Sequence, residues 1–295
     1  MLPAELFRKI RRIEIRTRRL VNDSFAGEYH AIFKGRGMEF DEVRPYQVGD
    51  EIRDVDWNVT ARMGEPYIKR YVEERELTVM LLVDASGSGD FGSVNRFKRD
   101  LAAELAAVLA FAATTNNDKI GLLIFTDRVE LFIPPRKGRR HVLRLIRDLL
   151  AFKPEGRGTD LKLALDTANR VLKRRSIVFL VSDFLASPDG YAQALFITNR
   201  RHDVIAVDLH DPLETAVAGV GLVALEDAET GDIVWADTAG RAWQTAFQTQ
   251  IEAREAAKRR AFTRAAVDRI AITTADEYVP ALARFFQQRA RRLRR

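Results

Sequence analysis

Five oxygen-bearing side chains sit at turns that follow short apolar runs or open a helix. Asp84, Ser86 and Ser88 share the turn Asp84-Ala85-Ser86-Gly87-Ser88, Thr159 lies in the glycine-rich stretch Gly156-Arg157-Gly158-Thr159-Asp160, and Asp183 follows the run Ile177–Val181. Carboxylates and hydroxyls are hard donors. Together they suit a cation such as magnesium, which favours a near-octahedral oxygen shell and keeps water wherever the protein supplies no ligand. The turn alone would also serve as ordinary loop capping, because Asp and Ser satisfy backbone donors. Its combination with Thr159 and Asp183 at the ends of further elements is what makes an ion site the better reading. Asp160 opens a helix and is assigned to the helix N-terminus instead of the ion. With no cysteine and four scattered histidines (His30, His141, His202, His210), oxygen ligands are what remain.

These donors must be positioned by strands. Val79–Val83, Ile120–Phe125, Ile177–Val181 and Val204–Val207 are short apolar runs of the kind buried on both faces of a parallel sheet. Helical spacing separates them, over residues 96–115, 141–150, 160–172 and 191–198. In the first of these helices Phe97, Leu101, Leu105, Val108, Leu109 and Ala112 are expected on one apolar face. Only three residues join the second strand to Val129–Ile133, too few for a crossover, so that run is expected as an antiparallel edge. The fold class is therefore α/β, a doubly wound and mostly parallel sheet with one antiparallel edge strand. In such sheets ligands bind outside the carboxyl ends of the strands, which is where the five donors lie.

Residues 1–75 read as a lead-in unit: an N-terminal amphipathic helix over 3–21, then turns and short strands rich in Gly, Pro and charge. The main domain is expected over 76–295, with a hairpin insertion at about 211–238 that turns at Thr230, Gly231 and Asp232. Gly35-Arg36-Gly37 is half of a phosphate loop but lacks the following lysine and hydroxyl, which argues against nucleotide binding. Arg44, Asp50, Arg53, Asp56 and Trp57 are equally readable as a partner-binding surface and as an ion-pair network that braces this segment.

Two resemblances add to this reading. The Asp84–Ser88 turn, Thr159 and Asp183 are similar, in order and in element, to the metal-ion-dependent adhesion site of von Willebrand factor A domains. That resemblance implies Ser86, Ser88 and Thr159 as direct ligands of magnesium (manganese or calcium as substitutes), Asp84 and Asp183 as direct or water-mediated ones, and a partner's Asp or Glu completing the shell. Gly89 and Asp90 depart from the pattern, which commonly has a methionine there, and remove no ligand. The stretch Gly35–Glu76 followed by the serine turn resembles the bacterial "domain of unknown function 58" proteins, whose typical companions are MoxR-type AAA+ ATPases. A non-enzymatic adaptor for such an ATPase, in assembly or maturation of a protein complex, is the function this implies.

The 295 residues, 46% hydrophobic and 31% charged, suffice for one substantial core and a smaller appended unit. No run approaches the roughly 20 apolar residues of a membrane span, and the N-terminus lacks the pattern of a secretory signal, so a cytoplasmic location is expected. The net charge of +6 hides an asymmetry. Basic residues concentrate in 8–19 and 284–295, and the remaining chain is acidic. Such runs are most often solvated helix faces; peripheral contact with anionic lipid or nucleic acid ranks third among the functions. The second is a metal-dependent hydrolase acting on phosphate esters, which would need a base or nucleophile that the residues do not display.

Overall fold

The structure is a computed structural model that describes Arg11 and residues 39–72, 76–94, 96–216 and 219–293. The helix expected over 3–21 and the basic run 8–19 lie outside the described residues, Arg11 excepted. In the lead-in segment, β1 (Glu39–Pro45) pairs antiparallel with β2 (Tyr67–Val72). Between them α1 (Trp57–Met63) starts at Asp56, whose carboxylate accepts from the Asn58 and Val59 N–H groups, and stops at Gly64 in the left-handed region. The segment is thus more regular than its Gly and Pro content suggests.

In the main unit, β3 (Thr78–Asp84), α2 (Lys98–Thr115), β4 (Lys119–Phe125), β5 (Val129–Arg136), α3 (Arg139–Leu150), α4 (Leu161–Val171), β6 (Ile177–Ser182), α5 (Pro188–Arg201) and β7 (Asp203–His210) follow in chain order. A hairpin of β8 (Leu222–Glu226) and β9 (Ile233–Asp237) comes next, then α6 (Arg241–Ala265), β10 (Asp268–Thr273) and α7 (Tyr278–Leu293). Six strands form one sheet in the order β10-β7-β6-β3-β4-β5. All neighbours are parallel except β4 and β5, so the three-residue link does produce an antiparallel edge. β5 runs three residues beyond Ile133, through Pro134 and Pro135. An edge strand tolerates prolines because one side of its backbone has no neighbour to bond, and the register shifts where they fall.

Alternation along β3 divides the core. Val79, Leu81 and Val83 face α2, α3 and α7, while Met80 and Leu82 face α4, α5 and α6. One expectation needs correction: α2 does not bury a single face, and Phe97 is 44% exposed. Every residue from Leu101 to Ala113 except Glu104 is buried, because the helix is covered by the sheet on one side and by α3 and α7 on others. Its alanines permit that close approach, and a helix apolar on all sides is a buried one. With strands of one direction ending together, Asp84 and Ser182 arrive at the same edge, just past the last β3–β6 pair, Val83 with Val181.

Candidate functional site

Asp84 is the last residue of β3 and shapes the turn that follows. One carboxylate oxygen accepts from the Ser86 N–H at 2.9 Å and the other from the Ser182 hydroxyl at 2.6 Å. The Ser86 and Ser88 side chains are buried, and their hydroxyl oxygens lie 3.1 Å apart. Asp84, Ser86, Ser88, Ser182 and Asp183 line one small cleft together with Lys98. Four of the five predicted donors are therefore brought together.

Thr159, the fifth, is not among the residues lining that cleft. Its loop is nevertheless bound to the serine turn, since the Gly87 N–H donates to the Arg157 carbonyl at 2.9 Å. The loop is anchored from below by Glu130, which accepts from the Gly156 N–H at 2.8 Å, the Glu155 N–H at 3.2 Å and the Thr126 hydroxyl at 2.8 Å. A side chain at Gly156 would run into Thr126 and Asp127, so glycine is required by this close approach. Asp160 caps α4 through the Leu163 N–H at 2.8 Å, the role expected of it. The Thr159 hydroxyl itself donates to Glu229 at 2.7 Å, a residue from the tip of the β8–β9 hairpin.

The charges are unevenly matched. Burial, followed by the repulsion of Asp183, pushes the Asp84 carboxyl up to about 6, against the hydrogen bonds that favour its ionised form. Asp183 has its own cation: the Lys98 ammonium, 2% exposed, contacts it at 2.6 Å and also contacts Glu214. Burial works against that ammonium, but Asp183 and Glu214 outweigh it and hold its pKa above the usual lysine value. Glu214 is held in turn by accepting from the Asp211 N–H at 2.9 Å. Asp90, next to the turn, is exposed and pairs with exposed Arg99, which stands at the rim of the cleft.

The donor set fits a hard cation. Adjacent ligands in an octahedral magnesium shell lie about 3.0 Å apart for metal–oxygen bonds of about 2.1 Å, and the serine hydroxyls are separated by nearly that edge, at 3.1 Å. The Asp84 carboxylate is met by the Ser182 hydroxyl and by both the N–H and the hydroxyl of Ser86, which fills three of its roughly four lone-pair sites. Asp183 is engaged by a cation, with one oxygen on Lys98 and the other accepting from the Leu185 N–H at 3.2 Å. That engagement favours a water-mediated role for it. No group of three or more His, Cys, Asp or Glu side chains suited to a metal occurs among the described residues, and an ion held here would take hydroxyls as its direct ligands.

Three of the charged residues singled out in the lead-in segment, Arg44, Asp50 and Asp56, have structural partners. Arg44 grips Asp50 through two hydrogen bonds of 2.8 and 2.6 Å, and Asp56 caps α1 and lies 3.6 Å from Lys69. Arg53 and Trp57 are exposed. Lys98, Glu214 and Glu229 were missed in the sequence. Nothing local marks them, since a lysine in a first helical turn and a glutamate in a hairpin turn ordinarily face water.

The chain is similar to known proteins over most of its length. The family model described as "Protein of unknown function DUF58" matches residues 42–257. An uncharacterized protein of Mycobacterium tuberculosis is 34% identical over 224 residues, 75% of this chain and 70% of that protein. Among solved structures, the conserved hypothetical protein BatB of Bacteroides thetaiotaomicron aligns over 73% of this chain and 99% of its own, with 13% identity and a TM-score of 0.47. The VWA domain of SpRpn10 aligns over 72% and 95%, with 9% identity and a TM-score of 0.41. On the extent of the family match and the identity to its mycobacterial relative, the chain belongs to the DUF58 family.

Proposed function

We propose that the carboxyl edge of the sheet holds one divalent cation, magnesium in the first place, and that the chain uses it to grip a partner protein. The observation that carries this reading is a pair of buried serine hydroxyls 3.1 Å apart beside Asp84, whose carboxyl has no cation of its own within the cleft's hydrogen bonds. Ser86 and Ser88 would be direct ligands, Asp84 direct or through water, and Asp183 through water, its charge already shared with Lys98. Neutral hydroxyls withdraw little positive charge from a cation, so a bound ion would retain affinity for a carboxylate from outside. Manganese has similar ligand preferences and calcium prefers a larger shell.

The resemblance of residues 35–76 supplies the first candidate partner, a MoxR-type AAA+ ATPase, with the chain as a non-enzymatic adaptor in the maturation or assembly of a protein complex. Exposed Arg53 and Trp57 are free to contribute to that contact, while Arg44, Asp50 and Asp56 brace the segment. Co-purification with the ATPase in magnesium and in chelator, using wild type, Asp84→Ala and Ser86→Ala, tests the proposal. Recovery in magnesium alone and by wild type alone is the expected outcome; equal recovery throughout removes the ion from the mechanism.

A further inference from the structure

The hairpin looks like an appendage in the sequence, yet its tip lands against Gly87 of the serine turn and on Thr159. Asp227 folds the tip by accepting from the Glu229 N–H at 2.8 Å and the Thr230 N–H at 3.0 Å. The Glu229 side chain then reaches back to Thr159, 2.7 Å from its hydroxyl. Glycine makes room for this approach: a Cβ at Gly87, between the two serines, would collide with the Ala228 carbonyl. A carboxylate is thus brought to the one predicted ligand that stands outside the cleft.

We infer that Glu229 is a carboxylate ligand supplied by the chain itself: it takes the ion's open position in the resting protein, and a partner's carboxylate must displace it. This rests on the reading of the site as an ion-dependent docking site. The hairpin is built to let go. Its strands pair only with each other, and Leu222, Ile233, Val234 and Trp235 are each more than 60% exposed. A two-stranded hairpin with so little packing opens at low cost. At its base, the Thr238 hydroxyl donates to the Gly221 carbonyl at 2.8 Å and Gln244 to the Thr238 carbonyl at 2.9 Å, which leaves the hairpin tethered when its tip lifts. Competition between Glu229 and a partner would restrict docking to partners that bring their own carboxylate.

Manganese binding to the full chain provides the test, with affinity read by titration and coordinated water by proton relaxation. Wild type should bind manganese, Ser86→Ala should not, and Glu229→Ala should bind roughly tenfold more weakly while gaining relaxivity from one additional water on the ion. The substitution truncates a half-buried side chain on an otherwise exposed hairpin tip outside the core. Equal affinity and equal relaxivity in wild type and Glu229→Ala, with binding still lost in Ser86→Ala, would overturn the role of Glu229 and leave the ion site standing. No manganese binding by wild type would overturn both.

Discussion

Asp84 and Asp208 occupy equivalent places, near the carboxyl ends of β3 and β7, and burial is the main cause that pushes each carboxyl up to about 6. They lie on the same edge two strands apart: Ser182, which donates to Asp84, pairs with Asp208 in the sheet. Their surroundings differ in sign. Asp208, fully buried, is met by Lys258 at 3.0 Å and Arg269 at 2.5 Å, and Glu255 balances those cations by contacting Lys258 at 2.5 Å and Arg269 at 3.2 Å. Asp84 has hydroxyl and amide partners, with Asp183 as its charged neighbour. A closed set of charges completes the fold at Asp208, whereas Asp84 keeps neutral donors, the arrangement that the proposed ion would complete.

The comparison can be broken at its closed end first. Lys258→Met leaves Asp208 with Arg269 as its remaining close cation and should cost about 3 kcal/mol, the lower end for breaking a buried pair. Urea denaturation checks this, and a loss below about 1 kcal/mol would mean that the network carries little of the stability. The open end responds to solution conditions instead. Magnesium at a hundredfold excess over its dissociation constant should stabilise wild type by about 2.7 kcal/mol, and thermal unfolding of Ser86→Ala should not respond to it. Without the ion, Asp84→Asn should change stability by less than about 1 kcal/mol at pH 7, because the substitution removes a charge whose buried state is disfavoured. A loss as large as that of Lys258→Met would place Asp84 among the structural carboxylates.

The smallest effect concerns pH. Burial, then the charges of Lys258 and Arg269, push His210 from 6.5 down to about 4, so the folded protein binds fewer protons there than the unfolded chain between those values. Stability from this group therefore rises with pH across that window. Asp208, raised from 3.8 to about 6, acts in the opposite sense, and its contribution falls as pH rises through about 6. Asp84, raised over the same range, adds a second falling slope, and His210 offsets only part of the two in wild type. His210→Gln should leave the falling slope exposed, with stability decreasing from pH 4 to 6 in denaturation series, and an unchanged profile would show that His210 is not held neutral.

Much of this contrast was legible in residue types. Asp84, Ser86, Ser88 and Asp183 could be grouped beforehand because parallel strands end at one edge, so chain direction alone sends their successors to the same place. The antiparallel edge followed from a link too short to cross the sheet. α2 was misjudged as one-faced because periodicity reports where large apolar side chains recur, not how many neighbours cover the alanines between them. In the lead-in segment, the pairing of Arg44 with Asp50 and the capping role of Asp56 follow from short-range geometry, yet the same residues are equally compatible with a docking surface until their partners are seen.

The sequence by itself determined the order of strands and helices, the chemistry gathered at the carboxyl edge, and the absence of thiolate ligands. Only the tertiary structure decided that Lys98 neutralises Asp183 and that Glu229 lies on Thr159. The physical reason is the range of the interactions involved. Strand direction and capping act over a few residues, whereas a buried lysine 85 positions from its carboxylate and a hairpin tip 70 positions from its threonine are placed by packing of the whole domain.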